Sequence, residues 1–242
     1  MFNSDEFLAR QRLLIVAPHA DDECFGCAGT IARIKALGGE VFVVVASVGD
    51  LHHYNKGDDK TFVTGSRRAE ELGRVMEYLK VDDFDILFTD AESHERLDAM
   101  PRRKLIELFE RDGRLAIDKL KPTMVAIPAI SYNQDHEAVF RAAFTACRPG
   151  IRQVKHFTPI ILAYDNTALF WSMEREKFHP TFYIDISDHL EQKVTALRMH
   201  QSQIKSALHH SSPENVSSIA HVRGREVSLE AAEGYMCLRF CC

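Results

Sequence analysis

No run in this 242-residue chain approaches the ~18 consecutive apolar residues of a membrane span. The opening stretch, MFNSDEFLARQR, is polar and charged and lacks the apolar core of an export signal, so a cytoplasmic location is expected. There is no basic excess either: 30 Lys and Arg stand against 35 Asp and Glu, a net charge of −5. Nothing is left over to neutralise a phosphate backbone, and nucleic acid is not an expected partner. Cysteine is sparse, six in all, and a disulfide framework is not expected in so long a chain without an export signal. Cys24 and Cys27 form one CxxC, but no second CxxC exists to complete a structural zinc site; they read as small residues packing the first turns of a helix. The Cys241-Cys242 pair lacks the C-a-a-X form of a lipidation signal. Also missing are G-x-G-x-x-G and G-x-x-x-x-G-K-[ST], which cradle phosphates, and G-x-S-x-G, which presents a nucleophilic serine.

What is present is a regular alternation. Hydrophobic residues make up 45% of the chain, enough for one sizeable core, and residues 1–242 read as a single domain without a linker or repeat. Leu13 to Ala17 is continuously apolar, as suits a strand covered on both faces, and Glu23 to Leu37 reads as a helix stopped by Gly38-Gly39. Val41 to Ala46 is a second strand. Residues 49–65 read as a long polar loop, and Ser66 to Leu79 as a helix with Ser66 as N-cap. Asp85 to Phe88 and Met124 to Ile127 are further strands, with a helix broken near Gly113 between them and another from Asp135 to Cys147. This β-α order predicts an α/β fold: a Rossmann-like, doubly wound, mainly parallel sheet with helices on both faces. Later segments extend it: strands at Ile160–Tyr164 and Phe182–Ile186, a helix at Asp188–His200, and a weaker helix at Leu229–Leu238.

The chemistry concentrates where the first strand ends, in Pro18-His19-Ala20-Asp21-Asp22-Glu23. Charged groups at the edge of a core need partners, and a divalent cation supplies one. His19 and Asp22 are three apart, so a tight strand-to-helix turn aims both inward and leaves Asp21 to face a bound water. The rival is a helix cap, since Asp21, Asp22 and Glu23 all suit the positive end of a helix dipole. A cap does not account for His19. A second cluster, Ser131-Tyr132-Asn133-Gln134-Asp135-His136, follows the fourth strand in the equivalent position. In the common doubly wound order the first and fourth strands are neighbours at the switch point, where ligands bind. His136 then completes a His19–Asp22–His136 triad, and three protein ligands with one open position are the arrangement of a catalytic zinc site. Fe2+ or Co2+ suits the same ligands. The other ten histidines, His94 and His200 among them, show no ligand spacing and read as surface or satisfied core residues.

The PHADDE stretch followed by NQDH resembles the LmbE-like, or PIG-L-like, N-acetylglucosaminyl deacetylases. Gly26, Gly29 and Thr30, the Arg68-Ala69-Glu70-Glu71-Leu72 helix, Arg223-Gly224 and Ala232-Glu233 resemble further family features, so the similarity spans nearly the whole chain. The resemblance implies one zinc per chain on His19, Asp22 and His136, Asp21 as general base, Asp135 orienting its neighbours, and Arg68 contacting the sugar. It also implies hydrolysis of an N-acyl amide, acetyl above all, on a small-molecule or glycoconjugate amino sugar, and a homo-oligomeric habit. One departure stands out: where the family often carries a histidine that stabilises the oxyanion, this chain has Asn133, which donates a hydrogen bond but carries no charge. Two other readings share the triad. One is a non-haem iron enzyme with a two-His, one-carboxylate site; the other is a non-catalytic metal-binding module.

Overall fold

The apolar run at Leu13–Ala17 forms the centre of strand β1 (Arg12–His19), which carries the rest of the architecture. The computed structural model describes residues 3–54, 60–173 and 177–241. After β1 come α2 (Asp22–Ala36), β2 (Glu40–Ser47), the short pair β3 (Leu51–Tyr54) and β4 (Lys60–Val63), α3 (Gly65–Tyr78) and β5 (Asp83–Phe88). Then follow α4 (Arg102–Glu107), α5 (Ile117–Leu120), β6 (Met124–Pro128), α6 (Gln134–Ala146), β7 (Ile160–Tyr164), β8 (Phe182–Asp185), α7 (Leu190–Met199), α8 (Pro213–Arg225) and β9 (Ala232–Phe240); α1 (Ser4–Ala9) precedes β1. The seven-stranded sheet has the order β5-β2-β1-β6-β7-β9-β8. β1 pairs in parallel with β2 and β6, and β6 with β7, whereas β9 runs antiparallel between β7 and β8.

Alternation along β1 divides the core in two. Leu13, Ile15 and Ala17 join the layer that includes Ile31 and Ile34 of α2 and Leu72 and Val75 of α3. Leu14 and Val16 join the opposite layer, with Leu105 of α4 and Val139, Ala142 and Ala143 of α6. Both faces of the sheet are therefore covered, as the continuous apolar run requires. Gly38, at φ 89°, ends α2 in the left-handed turn that glycine adopts without strain.

Three expectations are corrected. Residues 229–238 do not form a helix: Ala232–Phe240 is strand β9, where the open edge of β7 outweighs the helix propensity of a short, ambiguous stretch. The stretch 49–65 is not all loop, since Leu51–Tyr54 and Lys60–Val63 pair as a hairpin; residues 55–59 lie outside the described residues. The cap of α3 is Thr64, whose Oγ1 accepts the Arg67 amide at 3.3 Å, and not Ser66. The helical stretch that opens with α4 does break near Gly113, as expected, passing through a π turn at Leu108–Asp112 before α5. Helix α8 was not anticipated, although Ser212 as N-cap with Pro213 behind it is a recognised start signal. Cys24 and Cys27 are buried within α2; Cys242 lies outside the described residues. No described helix is long and apolar enough to cross a membrane.

Candidate metal centre and catalytic site

Because β1 and β6 lie side by side and run in the same direction, the turns that leave them meet at one end of the sheet. His19 is the last residue of β1, Asp22 the first of α2, and His136 lies in the first turn of α6. Asp22 Oδ2 is the hub: His136 Nε2 stands 3.3 Å from it, His19 Nδ1 3.5 Å, and the His19 amide donates to it at 3.0 Å. The ligand-capable atoms of these three residues all lie within 4.8 Å of one another.

Asp135, fully buried, joins from α6. Its Oδ2 is 2.9 Å from His19 Nε2, and its Oδ1 accepts the Leu97 amide at 2.8 Å. With Nε2 bonded to a carboxylate, His19 presents Nδ1 to the hub, the arrangement in which a second carboxylate orients a ligating imidazole. Burial pushes the His19 imidazole down, but Asp135 and Asp22 outweigh it and raise it to about 9. Burial likewise opposes the Asp22 carboxylate, and the neighbouring His136 and His19 hold it well below the usual range. The site thus favours positive charge among buried carboxylates. Among the described residues, His136 Nδ1 is buried with no partner. Two imidazoles and a carboxylate converging on one point fit a divalent transition metal such as zinc.

Asp21 occupies the turn between His19 and Asp22 at φ 125° and ψ −26°, a left-handed-side conformation rare for any residue but glycine. It makes no side-chain cap on α2, so the acidic run is not simply a helix cap. Burial, with Asp22 alongside, raises the Asp21 carboxyl to about 7, against the pull of His200 and Arg68. Asn133 is the N-cap of α6: its Oδ1 accepts the amides of Asp135 at 3.0 Å and His136 at 3.3 Å. That fixes Oδ1 and leaves Nδ2 as the donor end.

Arg68 is buried on α3. Its Nη1 donates to Gly49 O at 3.3 Å and to His94 Nε2 at 2.7 Å, while its Nε is buried without a partner among the described residues. His94 is the site residue that spacing did not reveal. Its ring packs edge-on against His19 at 5.4 Å, and its Nδ1 lies 3.1 Å from Ser47 Oγ. Burial, then the Arg68 charge, lowers His94 to about 3. A neutral ring whose Nε2 faces a guanidinium must accept there, so Nδ1 carries the proton. His200 was missed as well: it is buried, with Nε2 2.8 Å from Glu23 Oε1. No local spacing could have found either one, because His94 reaches the site from a loop and His200 from the end of α7.

A family model described as PIG-L, GlcNAc-PI de-N-acetylase, matches residues 14–147, more than half of the chain and all three candidate ligands. The chain belongs to the PIG-L, or LmbE-like, deacetylase family. Among curated relatives of this PIG-L chain is a probable N-acetyl-alpha-D-glucosaminyl L-malate deacetylase 2 of Bacillus subtilis (strain 168), 26% identical over 212 residues, covering 82% of this chain and 86% of the relative. Among solved structures, the N,N'-diacetylchitobiose deacetylase of Pyrococcus horikoshii aligns with a TM-score of 0.69 at 21% identity, covering 98% of this chain and 86% of that one. GalB, the 4-carboxy-2-hydroxymuconate hydratase of Pseudomonas putida KT2440, aligns with a TM-score of 0.70 at 20% identity, covering 94% and 96%. At such identities the structural likenesses speak for the fold. The hydratase shows that this fold also serves a reaction other than deacetylation.

Proposed function

We propose that this PIG-L family member hydrolyses an N-acetyl amide on an amino sugar, with one zinc ion held by His19, Asp22 and His136. The observation that carries the reading is the convergence of His19 Nδ1 and His136 Nε2 on Asp22 Oδ2, with Asp21 in the intervening turn. When bound, such a metal lowers the pKa of a water toward ~7 and polarises an amide carbonyl. Asp135 fixes the His19 ring and its tautomer through Nε2. Asp21 is the general base: its carboxylate takes the proton of the attacking water and returns it to the departing amine nitrogen. A carboxyl raised toward neutrality suits both halves of that transfer. Asn133 Nδ2 donates to the oxygen on which charge develops, a neutral donor in place of a charged imidazole. Arg68, held by His94 through Nη1, directs its charge toward Asp21 and is the residue placed to meet a sugar substituent. Tyr132, exposed next to Asn133, supplies an aromatic face of the kind on which a sugar ring stacks.

The test pairs metal content with amine release. Wild type and Asp22→Ala are purified identically without added metal and analysed for elements, then offered N-acetylated amino sugars. Near-stoichiometric zinc in wild type, lost in Asp22→Ala together with amine release, is the expected outcome. Iron with oxygen-dependent turnover would replace the reading by an oxygenase, and bound zinc without amine release from any N-acetyl sugar would overturn deacetylation.

A further inference from the structure

The Asp21 carboxylate accepts no hydrogen bond from a described residue, so side-chain partners do not aim it. Its direction is set by the backbone, which stands at φ 125° and ψ −26°. A residue with a Cβ holds such a conformation only where its surroundings over-determine it. The bonds that do so are visible. The Asp21 amide donates to Glu23 Oε2 at 3.0 Å, and the Asp21 carbonyl accepts the amides of Cys24 at 2.9 Å and Phe25 at 3.0 Å. Glu23 is itself held by its other oxygen: Oε1 is 2.8 Å from His200 Nε2 and accepts the Cys24 thiol at 3.3 Å. Glu23 and His200 are 0% and 1% exposed, so no solvent competes for these bonds.

The chain beyond His200 is anchored independently. Ser202 donates through its amide at 3.1 Å and through its hydroxyl at 2.6 Å to Glu71 on α3. The segment after α7 therefore ties the start of α2 to the helix that carries Arg68. Burial alone would lower His200, but the charge of Glu23 and the bond to it raise it above its usual value, which favours a charged pair. Glu23, Cys24 and His200 also have the composition of a metal site. Their polar atoms, however, bond one another and the Asp21 amide, which makes them a bracket.

We infer that Glu23, clamped by His200, is a positioning residue that holds Asp21 in the one backbone conformation that aims its carboxylate at the reacting water. The inference rests on the reading of Asp21 as the general base. The Glu23 side chain is fully buried and its bonds run to the Asp21 amide, the Cys24 thiol and His200; it acts through the Asp21 amide. If so, removing it matters only while Asp21 is there to be misaimed.

The experiment is a double-mutant cycle on the metal-loaded enzyme: Glu23→Ala and Asp21→Asn, alone and together, with kcat, KM and zinc content measured for each. Glu23→Ala is expected to lower kcat by ~10²-fold, the scale of a misplacement near 1 Å, with KM and zinc content unchanged. In the Asp21→Asn background the same change should cost less than about twofold. Glu23→Gln, which keeps an oxygen for the Asp21 amide, should restore most of kcat. Equal losses in both backgrounds, a loss confined to KM, or loss of zinc would overturn the inference. Should Glu23→Ala not fold, His200→Gln in the same two backgrounds applies the same criterion. Hydrogen exchange at the Asp21 amide reads the bracket without reference to turnover: faster exchange in Glu23→Ala supports it, and unchanged exchange overturns it. A wild type that releases no amine would sink the proposed reaction, and the exchange result would still decide the bracket.

Discussion

Asp135 illustrates how much one buried carboxylate does at the residue scale. One oxygen fixes the His19 ring and the other accepts the Leu97 amide from the loop that carries His94. Asp135→Asn keeps the shape but removes the charge behind the ligand, and outer partners of this kind are worth ~10–100-fold in metal affinity. Competition against a chromophoric zinc chelator should show that loss; unchanged affinity would mean that Asp135 serves the loop alone. The cysteines offer a second test at the same scale. Burial pushes the Cys147 thiol up to about 12 and raises Cys24 and Cys27 well above the ordinary range, in both cases also against neighbouring cations. Only the thiolate reacts, and at pH 8 a thiol of pKa ~12 is about one part in ten thousand ionised. Iodoacetamide under native conditions should therefore label exposed Cys241 and spare Cys24, Cys27 and Cys147, as peptide mapping would show. Rapid labelling of the CxxC would instead mark Cys24 and Cys27 as reactive thiols of the redox-pair kind.

Helix α2 is the element on which the site is mounted, and its close seating is set by two glycines. A Cβ at Gly26 would stand 2.2 Å from Tyr164 Cδ2, and one at Gly29 would stand 2.7 Å from Ile186. Tyr164 cannot step aside easily, since it is fully buried and its hydroxyl donates to Val16 O at 3.0 Å. Gly26→Ala gains about 1 kcal/mol of helix propensity but overpacks the contact, which costs ~1–3 kcal/mol or more. We expect net destabilisation in urea titration together with weaker metal binding, because Asp22 moves with the helix; a stabilised variant would show that α2 can shift freely. Farther along, Glu233 accepts the amides of Gly29 at 3.0 Å and Thr30 at 2.8 Å and pairs with Lys193. The Ala232-Glu233 signature thus serves to dock β9 and α7 on α2. The same element explains one misreading: Leu229–Leu238 has no period long enough to separate helix from strand, and the neighbouring strands decided it.

Across the whole molecule, the three proposed ligands come from β1, α2 and α6, so a metal bound there would tie together segments 117 residues apart in sequence. A ligand that binds only the folded chain stabilises it by RT ln(1 + [L]/Kd), ~2.7 kcal/mol at a hundredfold excess over Kd. Zinc should therefore raise the melting temperature of wild type in a concentration-dependent way, and a chelator should reverse the shift. Asp22→Ala, which lacks the hub, should not respond to zinc in the same scan. A full response from that variant would place the metal elsewhere.

The sequence by itself determined the alternation of the main-sheet strands and covering helices from β1 to β7, because runs buried on both faces must be apolar and the intervening helices must cover them. It also determined that His19, Asp22 and His136 meet, since they follow two strands that the doubly wound order makes neighbours. Only the tertiary structure decided what surrounds that triad. His94 and His200 carry no local signal, since a histidine's meaning depends on which carboxylate or guanidinium faces it, and theirs are Arg68 and Glu23, distant in sequence. Strand β9, paired on both sides by β7 and β8, and the backbone of Asp21 were decided in the same way. Pairing across a sheet and a conformation held by a bracket are set by partners that a linear reading does not bring together.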